Sequence, residues 1–179
     1  MDADKTIAES RAEIAAMLQG WDTIPAFLCD RHFTVLASNA MASALSPGFV
    51  EGTNLARFVF LEARINRNHG MYDVAADQVA AMLRESLDEH EGDSQFRRIV
   101  GELAAKSADF STAWADESLS AKSRDSMVFD DTPVGPVRVH YQVLRVPGNA
   151  EDSLIVWGPA DEDSRLRLRR LNELPPADD

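Results

Sequence analysis

The chain has 179 residues, enough for one compact domain with a real core and too few for two large ones. Against 30 Asp and Glu stand 18 Lys and Arg, a net charge of −12 that repels phosphate backbones and argues against nucleic-acid binding by this chain itself. A hydrophobic content of 45% argues against disorder, the acidic start Met1-Asp2-Ala3-Asp4 lacks the signal-peptide pattern, and no apolar run approaches the ~20 residues of a membrane span.

Thr6 to Leu18 reads as an amphipathic helix with Ile7, Ile14, Met17 and Leu18 on one side, and Gly20 stops it. Ile24 to Cys29 and Phe33 to Ala37 read as two strands around the polar turn Asp30-Arg31-His32. Ser38 or Asn39 caps a short helix, Ala40 to Leu45, which Pro47-Gly48 ends. The middle is helical: Leu55 to Leu61, Val74 to Leu87, Gln95 to Ala105 and Asp109 to Ala115 carry apolar residues at helical spacing. Strands follow at Ser126 to Phe129, Val137 to Val146 and Leu154 to Trp157. In the second of these, Leu144 and Val146 break the alternation and predict a bulge or a change of covered face. Ser164 to Leu174 closes the chain as a helix. Two strands, inserted helices, then three strands predict an α+β fold with an antiparallel sheet of about five strands.

Enzyme signatures are absent. The nine glycines form no phosphate loop, the four histidines have no zinc spacing, and no Gly-x-Ser-x-Gly elbow occurs. No cofactor, metal site or catalytic residue is therefore assigned. Cys29 is the single cysteine; it lies in an apolar stretch and reads as core, consistent with a reducing cytoplasm. Asp130-Asp131 reads as a turn between strands, His140 as a cross-strand partner, and Arg165, Arg167, Arg169 and Arg170 as the solvated side of the last helix.

Several segments, in order, resemble one family. They are Pro25-Ala26-Phe27-Leu28-Cys29-Asp30-Arg31, Val35 to Asn39, Asn54 to Leu61, Tyr72 with Ala76 and Leu83-Arg84, and Val100 to Leu103. Phe110 with Trp114, Gly135 to Tyr141 and Leu144 to Gly148 complete the set, spanning roughly residues 14 to 160. Together they resemble the ligand-binding domain of MmyB-like transcription regulators, helix-turn-helix proteins of the XRE type with a PAS-like C-terminal half. This chain departs from the family pattern in four places: Tyr72 and Ser38 stand where tryptophans are usual, Glu117-Ser118-Leu119 replaces a His-Asp-Val string, and Asp131-Thr132 replaces a His-Pro pair. These departures bear on the lining of a pocket, and so on ligand identity, more than on the fold.

The resemblance implies a connector helix at 1–20, a PAS-like ligand-binding domain at 21–174 and a disordered tail at 175–179. It implies a pocket between sheet and inserted helices that accepts a fatty acid or a similar apolar molecule, lined by Phe27, Phe33, Phe58, Phe60, Met71, Tyr72, Met82, Trp114 and Tyr141. Arg57 either meets a ligand carboxylate or forms a structural ion pair in this acidic chain. Asn39 either touches ligand or serves as a helix cap. The expected role is a cytoplasmic effector sensor, homodimeric through the N-terminal helix, with DNA contacted by a helix-turn-helix domain that would lie before Thr6. The competing readings are a ligand-free dimerisation module and a small α+β enzyme using His140, Asp130 or Asp131.

Overall fold

The computed structural model describes residues 2–62 and 72–174. The elements run α1 (Asp2–Gln19), β1 (Ala26–Cys29), β2 (Val35–Ser38), α2 (Ala40–Leu45), α3 (Leu55–Leu61), α4 (Tyr72–Glu89), α5 (Ser94–Lys106), α6 (Ala108–Ala115), β3 (Arg124–Phe129), β4 (Val137–Val146), β5 (Asn149–Pro159) and α7 (Glu162–Glu173). A 3-10 turn, Pro47–Phe49, follows α2. The strands pair antiparallel in the order β2-β1-β5-β4-β3, the PAS-like α+β arrangement that the sequence pattern predicts. The sheet with α1, α2 and α7 forms one compact unit, and α3 to α6 form another.

In the sheet unit, alternation along each strand sorts side chains onto two faces. One face carries Ala26, Leu28 and Leu154, and α1 lies on it: Leu18 is fully buried there, with Ile14, Ala15 and Trp21 around it. Met17 stays in solvent, 49% exposed, although its helical position groups it with the apolar side. A half-buried ion pair holds α1 to the sheet. Arg11 donates from Nε and Nη2 to both carboxylate oxygens of Asp152, at 2.6 and 2.8 Å, and Asn149 Nδ2 donates to the same carboxylate at 2.7 Å. Asp152 has no exposed surface. The Asp152 hydrogen bond and charge raise the Arg11 guanidinium further above its ordinary value, outweighing the cost of its partial burial.

Local chemistry explains most boundaries. Asn39 Oδ1 accepts from Ala42 N and begins α2, Asn54 does the same for α3 through Arg57 N, and Asp93, Ser107 and Asp161 begin α5, α6 and α7. The bulge expected near Leu144 lies between Arg145 and Val146. β5 begins earlier than its apolar signal, at Asn149, because the β4–β5 hairpin continues to its turn, where Gly148 takes φ 75°. The polar run Glu151-Asp152-Ser153 is strand all the same, its acids spent on Arg31 and Arg11. Phe33 is not in a strand. It adopts φ 65° at the end of a turn in which Asp30 Oδ1 accepts from His32 N and Thr34 N, and β2 starts two residues later.

Burial pushes the Cys29 thiol up, with the nearby carboxylates of Asp30 and Asp152 adding to the effect, so it stays protonated at neutral pH. We expect native protein to react negligibly with a thiol-specific disulfide reagent at pH 8, and one thiol to titrate promptly in denaturant.

The helical unit is built around Phe60 of α3, Leu83 of α4, Phe96, Ile99 and Leu103 of α5, and Phe110 of α6, all fully or almost fully buried. Ala76, Ala80 and Ala81 are buried in α4, which packs against both α3 and α6. Arg84 of α4 satisfies the carbonyls at the end of α6, donating to Ala113, Trp114, Asp116 and Leu119, and its guanidinium lies 5.5 Å from the Trp114 ring centroid.

Candidate functional site

The face of the sheet opposite α1 is aromatic. Residues directly opposed in antiparallel strands share a face, so Phe27 lines up with Ile155, Trp157 with Tyr141, and Phe129 with Val137. Phe49, carried by the 3-10 turn, lies over this face and stacks on Phe27 at 4.6 Å and on Trp157 at 5.4 Å. Phe129 meets Phe49 and Trp157 edge-on at 5.7 and 5.4 Å, and Tyr141 is tilted against Trp157 at 5.1 Å. Trp157 and Phe49 each meet three of these rings. Trp157 is 5% exposed, and its Nε1–H is buried without a hydrogen-bond partner among the described residues. A buried donor left unmatched costs about 1–3 kcal/mol, so this atom is an unmatched polar group in a largely aromatic wall.

Tyr141 shares that environment. Burial first, and then the negative charge of its cross-strand neighbour Asp125, push its phenol up to about 12. An unfolded tyrosine ionises near pH ~10, so between pH 10 and 12 the unfolded chain sheds a proton that the folded chain keeps. The stabilisation from a neutral Tyr141 is complete below pH ~10 and is lost as pH rises through that window. In a Tyr72→Phe background, which leaves Tyr141 as the sole tyrosine, absorbance at ~295 nm is expected to report ionisation well above the ordinary value.

The sequence-derived site residues separate into groups. Phe27 and Tyr141 join the aromatic face around Trp157. Asn39 is buried and its amide is committed to backbone: Oδ1 accepts from Ala26 N and Ala42 N, and Nδ2 donates to Trp21 O and Ile24 O. This is its cap role, with both donors and both acceptor sites filled. In the helical unit, Phe60 packs edge-on against Phe110 at 5.1 Å, and Trp114 stacks on Phe110 at 5.3 Å. Tyr72 is buried and its hydroxyl donates to Asp109 at 3.1 Å. Phe58 and Met82 are half-buried. Arg57 pairs with Glu102 at 2.8 Å, and Glu102 also accepts from Lys106 at 2.9 Å. Those two hydrogen bonds, Lys106 first, hold the Glu102 carboxyl below its ordinary range. Met71 and the tail at 175–179 lie outside the described residues.

The polar groups considered for catalysis are placed as connectors and partners. His140 sits exposed on the other face of β4 and bonds Ser126, its cross-strand neighbour, at 2.7 Å. Asp130-Asp131 lies in the β3–β4 connection. On α7, Arg165 pairs with Glu162, while Arg167 pairs with Asp163 and donates to Val134 O.

Phe49, Phe129 and Trp157 were not singled out by sequence as site residues. Phe49 hides behind Pro47-Gly48, which reads as a stop signal. Phe129 and Trp157 acquire their neighbours only through strand register, which pairs residues far apart in the chain.

Among the described residues, no helix is long and apolar enough to cross a membrane. No curated protein matches the chain. A family model described as the MmyB-like transcription regulator ligand binding domain matches residues 10–171, nearly the whole chain and every element from within α1 into α7. A PAS-like sheet with one face closed by α1 and the other lined with aromatic rings agrees with that match. The chain belongs to the family of MmyB-like transcription regulator ligand-binding domains.

Proposed function

We propose that this chain is the effector-sensing domain of a bacterial transcription regulator, that it binds a small, apolar, fatty-acid-like molecule against the aromatic face of its sheet, and that it acts as a receptor and not as an enzyme. The observation that carries this reading is the aromatic face itself, found in a chain of a ligand-binding family. Burying an acyl chain contributes about 0.8 kcal/mol per methylene. Micromolar binding needs about 8 kcal/mol, so roughly ten methylenes reach it before the costs of immobilisation.

Sensing requires the ligand to favour one of two arrangements of an output element. α1 is that element: it lies on the opposite face of the same sheet, tied to β5 through Arg11 and Asp152. We further propose that α1 mediates a homodimer, with exposed Met17 at its contact, that DNA is contacted by a separate helix-turn-helix domain, and that the protein works in the cytoplasm.

The test is native mass spectrometry of purified protein, with organic extraction and lipid analysis of what accompanies it. The reading predicts a stoichiometric apolar molecule, or uptake of one from a panel of medium-chain acids, esters and alcohols. A clean unliganded mass that no panel member changes would overturn it in favour of a ligand-free interaction module.

A further inference from the structure

We infer that Trp157 is the polar anchor of the ligand site: its indole N–H donates to a neutral oxygen acceptor (a hydroxyl, an ester or a ketone) of an otherwise apolar ligand. The inference rests on the ligand-binding reading above and narrows it. The N–H is buried and has no partner among the described residues, while the ring around it is held on three sides by Phe49, Phe129 and Tyr141. A donor fixed by packing is pre-organised, because little side-chain freedom remains to be lost when an acceptor arrives.

The charge of the acceptor follows from the face. The nearest groups that the register places beside Trp157 are Tyr141 across the pair, Val139 and Val143 on the diagonals, and Ile155 and Pro159 along β5. None is cationic. The acid Asp125 stands beside Tyr141 on the same face, so negative charge is already present there. Register also puts a cation on this face, Arg145, but it is exposed and opposes Ser153, four residues along β5 from Trp157, about 13 Å away at ~3.3 Å per residue. A carboxylate brought to the indole would therefore be buried without a countercharge, on a face whose next acid, Asp125, stands two strands away. A neutral oxygen takes the hydrogen bond without that penalty.

The test uses the intact protein and four probes of matched chain length: decanol, methyl decanoate, decanoate and decane, in mildly alkaline buffer. Affinity is measured for the natural sequence and for Trp157→Phe, which keeps a stacking ring and removes the donor. The indole resonance of Trp157 is followed by two-dimensional nitrogen–proton spectroscopy in the natural sequence, so a readout remains if the variant folds poorly. The expected result is a downfield shift of that resonance with decanol and methyl decanoate and not with decane. Trp157→Phe is expected to weaken both oxygen-bearing neutral probes about tenfold and to leave decane unchanged. Equal weakening of all four probes, or of none, would overturn the anchor while leaving the ligand-binding reading in place. So would decanoate shifting the indole more strongly than methyl decanoate. Failure of every probe to bind the natural sequence would overturn both.

Discussion

Replacing Arg11 with Met is expected to lower stability by about 3 kcal/mol, because it strands a fully buried carboxylate. Among the described residues, the Asp152 carboxylate would keep only the hydrogen bond from Asn149. The opposite truncation is milder. Arg11 is 39% exposed, so in Asp152→Asn the guanidinium swings into water, and a loss of about 1–2 kcal/mol is expected. The double variant Arg11→Met with Asp152→Leu removes both charges and places apolar groups where Leu18 of α1 already packs with Leu28 and Leu154 of the sheet; it should recover much of the deficit. Urea denaturation of the natural sequence, both single variants and the double closes a mutant cycle. Equal costs for the two single variants would contradict the asymmetry in burial from which the prediction is drawn. The cycle also bears on signalling, since weakening this tie should free α1 without touching the aromatic face.

Asn39→Ala is the second large effect, expected near 3 kcal/mol. The loss of the α2 cap accounts for about 1 kcal/mol. The remainder comes from Ala26 N, Trp21 O and Ile24 O, which lose the amide that matches them. In a chain of this size such a loss lowers Tm by roughly 6–12 °C, which calorimetry resolves readily. Asn39→Asp should rescue little. It keeps the two acceptor roles but sets a carboxylate against two carbonyl oxygens that had received Nδ2–H donors. If Asn39→Asp matched the natural sequence in stability, the donor half of this network would carry no weight.

Both residues illustrate which part of the structure is written locally. The start of α2 is legible because a cap is a contact between residues two or three apart: the sequence offers Ser38 or Asn39, and Asn39 is the cap; Asn54 caps α3 in the same way. β4 is legible from Val137, Val139 and Tyr141 alternating with Arg138, His140 and Gln142, and its bulge from the break at Leu144. The polar start of β5 is not legible in this way. Asp152 is buried because Arg11, 141 residues earlier, reaches it, and no window of sequence contains both. Phe33 reads as a strand residue by composition, yet the Asp30 turn bends the backbone through a left-handed conformation at that position.

The site divides along the same line. Helical spacing puts Trp114 on an apolar face with Phe110, and the family resemblance brings in Phe60 and Tyr72, but neither says which ring each one meets. The structure gives Phe60 and Trp114 a common partner in Phe110, and gives the Tyr72 hydroxyl an acceptor in Asp109. Phe27 and Tyr141 are legible as strand residues facing one side. Trp157, which meets Tyr141 directly and Phe27 through Phe49, acquires these neighbours only once β5 is set between β1 and β4. Arg57 is open between ligand and ion pair because a guanidinium suits both, and its ion-pair partner Glu102 lies on another helix, which no local pattern reveals.

The measurement closest to the central claim is fluorescence quenching of Trp157 by a brominated medium-chain alcohol, in a protein carrying Trp21→Phe and Trp114→Phe so that Trp157 is the sole emitter. Bromine quenches by contact, so the signal reports an apolar chain lying on the aromatic face and nowhere else. The account predicts saturable quenching at micromolar concentrations, reversed by the unbrominated alcohol. Quenching that is absent, or that appears only when denaturant exposes the ring, would contradict a ligand site on this face of the sheet.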